Sequence, residues 1–142
     1  MNTKIQADRM AFATAGNATV TLESLKTGKR FTYKITAPRD GGDRVRFVRL
    51  LTGPNNNEDF GYIGYLKHHA GPPGAWRFHH GQGKAVAGAT APSVKAIHWF
   101  ARNPNDPRVA VHHAGKCGRC GRKLTVPESL ASGLGPVCAA VA

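Results

Sequence analysis

All three cysteines of this chain fall in its last third, as Cys117-Gly118-Arg119-Cys120 and then, after a spacer containing serine and glycine, Gly135-Pro136-Val137-Cys138. Three is an awkward number for a disulfide framework, but it is natural for thiolates that share one metal with an imidazole. Two thiolates separated by two residues can meet one ion only if the backbone between them turns tightly. In Cys117-Gly118-Arg119-Cys120-Gly121-Arg122 the two glycines can take positive φ, which lets backbone N–H groups point at the sulfurs. Buried thiols with a packing role alone need neither the Cys-x-x-Cys spacing nor the flanking glycines. The expectation is a structural Zn2+ held by Cys117, Cys120, Cys138 and one histidine. Pro136 suits the first turn of a helix, which would bring the Cys138 thiolate near a positive helix end. A knuckle joined to a ligand at a helix N-terminus is a treble-clef-like arrangement.

The fourth ligand is one of two neighbours. Val109-Ala110-Val111 reads as a strand running into His112-His113, and adjacent strand residues face opposite ways, so one of the pair points at the metal and the other away. His113, with three residues between it and Cys117, is favoured over His112; a solvated strand end is the alternative for either. Catalytic zinc finds little support. A nucleic-acid deaminase pairs His-x-Glu with Pro-Cys-x-x-Cys, whereas Gly115-Lys116 precede this knuckle and no histidine is followed by x-Glu. An HNH-type nuclease needs histidines beyond the knuckle, and none follows His113. With four ligands at hand and Glu128 the one acid of the final segment, a closed structural site without enzymatic activity is expected.

The spacer between the half-sites carries its own helix signal. Thr125-Val126-Pro127-Glu128 has the capping-box form, with Pro127 tolerated in the first turn. Leu124, Val126 and Leu130 would then cover the metal, and Gly133 or Gly135 would end the turn. A unit this small cannot fold on apolar burial alone, so metal binding, about 10–16 kcal/mol in comparable zinc peptides, supplies much of its folding free energy.

These residues also carry a resemblance. The run His113-x-Gly115-x-Cys117-Gly118-Arg119-Cys120-Gly121-Arg122-x-Leu124-Thr125-x-Pro127-x-Ser129, followed by Gly133-x-Gly135-Pro136-x-Cys138, resembles a small zinc module of unassigned function, with three cysteines and one histidine, common in bacteriophage proteins and occasionally attached to helicase-like proteins. Phe47-Val48-Arg49-Leu50-Leu51-Thr52-Gly53-Pro54 and Tyr62-Ile63-Gly64 look like the region that often precedes the module in phage proteins. The resemblance implies zinc and a phage or prophage origin. It implies no reaction.

The expected fold class is α+β: an antiparallel, β-rich region over residues 1–107 with one helix near 93–102, then the treble-clef-like zinc module over 108–142. At 142 residues the chain is long enough for a modest core and one compact unit. It has no apolar run of eighteen residues and no signal peptide, so the cytosol of a bacterial host, where thiolates stay reduced, is the expected location. Twenty Lys/Arg against eight Asp/Glu leave a formal net charge of +12 and a pI near 10.3, an excess that favours a polyanionic partner.

Where the charge lies matters more than its total. One dense basic region runs from Lys26 through Lys29, Arg30, Lys34, Arg39, Arg44 and Arg46 to Arg49, and the other, Lys116, Arg119, Arg122 and Lys123, sits on the knuckle. In Arg30-Phe31-Thr32-Tyr33-Lys34-Ile35 alternation puts Phe31, Tyr33 and Ile35 on one side of a strand and the basic residues on the other. Arg44-Val45-Arg46-Phe47 repeats the pattern. A sheet with an apolar inner face and a cationic outer face follows, and with it contact to nucleic acid, DNA before RNA, through Lys29, Arg30, Lys34, Arg44, Arg46, Lys116, Arg119, Arg122 and Lys123.

Strands are predicted near 18–24 and 30–36, joined by a hairpin turning at Gly28, near 44–51 and 61–67, and over 76–80. Gly81 to Ala91 reads as a flexible connection. Ser93 caps a helix reaching about Ala101, with Val94, Ile97 and Ala101 buried and Trp99 or Phe100 at its margin. Tyr62, Tyr65, Trp76 and Phe78 are candidates for stacking on bases, although aromatics at strand spacing more often belong to the core. His68-His69 and His79-His80 read as loop residues rather than a second metal cluster. Two functional classes lead: a non-catalytic accessory protein of phage replication or recombination that binds nucleic acid, and an inhibitor that uses its basic face to compete with nucleic acid on a host defence or replication protein.

Overall fold

Alternating apolar residues separated by short turns pair each strand with its neighbour in sequence. The computed structural model describes residues 3–4, 8–40, 42–54, 58–69, 76–124 and 127–135. Its strands are β1 (Thr3–Lys4), β2 (Asn17–Ser24), β3 (Arg30–Thr36), β4 (Val45–Leu51), β5 (Phe60–His68), β6 (Trp76–His80) and β7 (Val109–His113), and its helices are α1 (Arg9–Ala13), α2 (Pro92–Arg102) and α3 (Pro127–Ser132). All seven strands form one antiparallel sheet in the order β1-β7-β2-β3-β4-β5-β6. The sheet is curled, and with its few helices it makes an α+β fold of mainly β character. Among the described residues no helix is long and apolar enough to cross a membrane.

The β2–β3 hairpin turns at Gly28, whose φ of +75° a side chain would strain. From β2 to β6 the strands follow in chain order; β7 alone returns from far along the chain and inserts between β1 and β2. The segment from residue 108 onward is therefore tied into the sheet by its first strand, hydrogen-bonded on both sides.

The core lies on one face of the sheet. Val20 and Leu22 of β2, Tyr33 and Ile35 of β3, Val48 of β4 and Phe78 of β6 meet Phe12 of α1 and Val94, Ile97 and Phe100 of α2. Tyr33 donates its hydroxyl hydrogen to the Ser93 carbonyl, and burial pushes its phenol well above the ordinary range.

Several sequence expectations change. The α2 N-cap is Ala91, with Pro92 in the first turn, and Ser93 is buried one residue inside. Proline's fixed φ starts the helix without a side-chain cap. Phe100 is buried and Trp99 is exposed. The expected flexible connection after β6 carries a 3-10 turn, Gln82–Lys84, and is tied to β5 through Val86 N–H to the Tyr62 carbonyl. Helix α1 and strand β1 had no distinct signal.

Strand β4 turns its faces the other way from the expected pattern. Its burial alternates with Arg46, Val48 and Leu50 inside and Phe47 and Arg49 exposed, so Arg46 leaves the predicted outer cationic face and Phe47 joins it. The guanidinium is satisfied inside: Nε donates to the Thr14 carbonyl at 2.8 Å, and Nη1 donates to those of Gly42 and Val45 at 2.8 and 2.9 Å. Its carbon lies 5.8 Å from the Trp76 ring centre. Three carbonyls and an aromatic face substitute for water, which is what allows a charge there. Burial also lowers its pKa from the ordinary value.

Candidate metal and nucleic-acid site

The knuckle is built by backbone hydrogen bonds. Lys116 and Lys123 form a β-bridge, Cys117 N–H donates to the Arg122 carbonyl at 2.8 Å, and Gly121 N–H donates to the Cys117 carbonyl at 3.0 Å. Gly121 takes a φ of +80°, as the tight turn requires. Gly118, expected to share that role, instead provides room: a Cβ there would lie 2.7 Å from the Phe12 ring. The knuckle is seated on the core through this contact and joined to β2 through Asn17 N–H to the Gly118 carbonyl, while Gly118 N–H to the Gly133 carbonyl ties it to the turn after α3.

Cys117 is buried and Cys120 is exposed. Burial pushes the Cys117 thiol up, but the N–H groups of Cys120, Gly135 and Arg119, with the Cys120 thiol, outweigh it and bring it down to about 6. Backbone donors converging on one sulfur favour the thiolate, the form that binds metal. The expected close of the knuckle by a short helix is met by α3, followed by Gly133 at a φ of +75°. Thr125 and Val126 of the proposed capping box, the Glu128 side chain, Pro136 and the third cysteine, Cys138, lie outside the described residues.

His112 and His113 face opposite sides of the sheet. His112 turns away from the knuckle, its Nε2 2.9 Å from Glu23 Oε1, and this hydrogen bond is the main cause that lowers the Glu23 pKa. His113 is buried on the core side, its ring tilted against Phe12. Its Nε2 donates to the Leu130 carbonyl at 2.7 Å, and its Nδ1 accepts from Gly115 N–H at 2.8 Å. Burial holds the ring below its ordinary pKa. Among the described residues no group of three or more ligand-type side chains is assembled. The donor chemistry nevertheless fits zinc. A metal-bound histidine characteristically gives its other N–H to a carbonyl, as His113 gives Nε2–H to Leu130, and coordination through Nδ1 would exchange only the Gly115 hydrogen bond.

A second feature lies on the outer face of the sheet. Cross-strand pairing sets Lys34 beside Arg49 and Arg49 beside Tyr62, with Phe47 beside Tyr65 in the next row and Lys67 beside Arg77 in the row after. Tyr62 and Tyr65, three residues apart, would ordinarily face opposite ways. A β-bulge between Val48 and Arg49 adds one residue to β5, which turns Ile63 into the core and leaves both tyrosines outside. Phe47 is 37% exposed, a large apolar surface for a position flanked by cations.

Residues 108–142 match the model of a family of unknown function, DUF6011. No curated protein and no solved structure matches the chain.

The basic residues named from sequence do not form one patch. Lys116, Arg119, Arg122 and Lys123 are exposed on the knuckle, which joins the start of β2 at Asn17. Lys29 and Arg30 are exposed at the hairpin following the other end of β2, a strand length of roughly 23 Å away. Lys34 lies between them on the outer face, and Arg44 is exposed just before β4. The aromatic candidates divide as well: Tyr62 and Tyr65 are outside, Trp76 and Phe78 in the core. Arg49, Lys67, Arg77 and Phe47 are the residues that sequence reasoning left out of the site. The alternation of buried positions in β4 places Arg49 and Phe47 on one face, but the bulge that adds the tyrosines has no local signature except Gly64, where a Cβ would collide with the His79 carbonyl and the Phe78 ring.

Proposed function

We propose that this chain is a non-catalytic, phage-type accessory protein that binds nucleic acid on the outer face of its sheet and is braced by a zinc-held knuckle. The observation that carries the reading is three successive rows on one face, with Lys34, Arg49 and Tyr62 in the first, Phe47 and Tyr65 in the second, and Lys67 and Arg77 in the third. Phosphates need cations spaced along a track, and unpaired bases need ring faces beside it. Strands about 4.8 Å apart, with like-facing residues about 6.7 Å apart along each strand, supply both in one surface. The aromatic rows favour single-stranded DNA or RNA, whose bases are free to stack, over a closed duplex.

Zinc held by Cys117, Cys120, Cys138 and His113 would act structurally, fixing the turn that presents Arg119 and Arg122. The Cys117 amide cradle and the His113 to Leu130 hydrogen bond support that role.

Mobility-shift titrations on single- and double-stranded DNA and RNA at two salt concentrations test the reading. Single strands should bind more tightly, with affinity falling steeply as salt rises. Arg49→Ala with Lys34→Ala should flatten the salt slope, whereas Phe47→Ala with Tyr65→Ala should lower affinity by about 1–3 kcal/mol per lost stacking partner and leave the slope intact. Unchanged migration of every polymer at low salt would overturn the reading and favour the inhibitor of a host nucleic-acid enzyme.

A further inference from the structure

We infer that His69 and His79 form a second metal site, separate from the cysteines and suited to an exchangeable tetrahedral ion such as Zn2+. The two Nε2 atoms face each other at 3.3 Å, with ring centres 5.5 Å apart and planes inclined by 41°. Two neutral imidazoles at that distance must share one proton, one ring donating and the other accepting. When a metal enters between them, the donor ring carries its proton on Nδ1 instead, and both Nε2 lone pairs face the ion. Zn–N bonds of about 2.0–2.1 Å at the tetrahedral angle set two ligand nitrogens about 3.3–3.4 Å apart, whereas neighbouring ligands of a square-planar ion lie about 2.9 Å apart. The observed separation already matches the tetrahedral edge.

The His79 ring is held in place by its neighbour across the strands. His79 stacks on Tyr65, its cross-strand partner, at 5.0 Å and 16°. His69 directly follows β5. The neighbouring histidines have other contacts: His80 bonds the Ala87 carbonyl through Nε2 and Gln82 N–H through Nδ1, and His68 packs edge-on against Trp76. Among the described residues no third ligand group completes the pair, so water or an oxygen of a bound anion fills the remaining positions. A two-imidazole site of this kind binds less tightly than a closed four-ligand site and exchanges its ion. The pair sits by β5 and β6 at one edge of the sheet, whereas the knuckle follows β7 near the other. The two sites can be loaded and tested independently.

Zn2+ titration of the full chain against a chromophoric chelator tests this, comparing wild type with His69→Gln and His79→Gln. Whatever the cysteines hold, wild type should bind one more equivalent than either variant, or bind that equivalent at least tenfold more tightly. Equal stoichiometry and affinity in folded variants would overturn the inference. Should a variant lose its circular dichroism, the imidazole 15N spectrum of the wild-type protein decides. Zn2+ should shift the Nε2 resonances of His69 and His79 together, and resonances unmoved at saturating Zn2+ would equally overturn it.

Discussion

At Gly118 a methyl group has nowhere to go. A Cβ there would lie 2.7 Å from two ring carbons of Phe12 and 3.0 Å from its carbonyl oxygen, and Phe12 is completely buried beside His113. Gly118→Ala should destabilise the protein by about 1–3 kcal/mol, the usual cost of overpacking, read as a lower urea midpoint with an unchanged slope. An unaltered midpoint would mean that the knuckle is not seated on Phe12. The glycine was visible in the sequence as part of a knuckle, but its reason was not, because the residue that crowds it is more than a hundred positions away. Arg46 shows the same limit. A charge in a strand reads as outward until three backbone carbonyls and the Trp76 ring are brought around it.

Between α2 and β7, Asp106 holds the ends of two elements together. Its carboxylate accepts from Arg108 Nε and Nη2 at 3.1 and 2.8 Å, from Arg108 N–H at 2.9 Å and from Trp99 Nε1 at 3.2 Å. The Arg108 hydrogen bonds, side chain first, hold it well below the usual carboxylate range. A carboxyl whose pKa is lower folded than unfolded stabilises the fold above its unfolded value, about 3.9, and that stabilisation is lost as pH falls below it. Asp106→Asn should lower the urea midpoint at pH 7, and its midpoint should decline less than that of wild type between pH 5 and pH 3. Trp99 emission should report the same change in wild type. Parallel pH profiles for the two proteins would rule this role out. The helix itself was legible from Val94, Ile97 and Ala101 at helical spacing, and the strand from Val109-Ala110-Val111; the clasp between them rests on side-chain geometry that periodicity does not encode.

Over the whole molecule, the knuckle and the sheet share hydrogen bonds and a core contact, so the proposed metal should matter beyond its ligands. Chelation is expected to raise amide exchange first in residues 114–124 and 127–135, then in β7, while β3 to β5 stay protected by their own pairing and by α2. Uniform exchange with and without chelator would show that the knuckle needs no metal. Among its described residues the segment buries Cys117, Leu124 and Leu134, and a unit of some thirty residues is too small to hold itself on apolar burial alone.

The sequence by itself determined strands β2 to β7, the β2–β3 hairpin, α2 and the turn of the knuckle, because each rests on contacts between residues close along the chain: alternation, helical spacing, a glycine turn, two cysteines two residues apart. Only the tertiary structure decided which face β4 shows, that a bulge lets Tyr62 and Tyr65 share a surface with Phe47, that β7 ties the C-terminal segment into the sheet, and that His69 and His79 meet. These depend on strand register and on partners distant in sequence. A shift of one residue in a strand exchanges its two faces without changing the alternating pattern from which the strand is read.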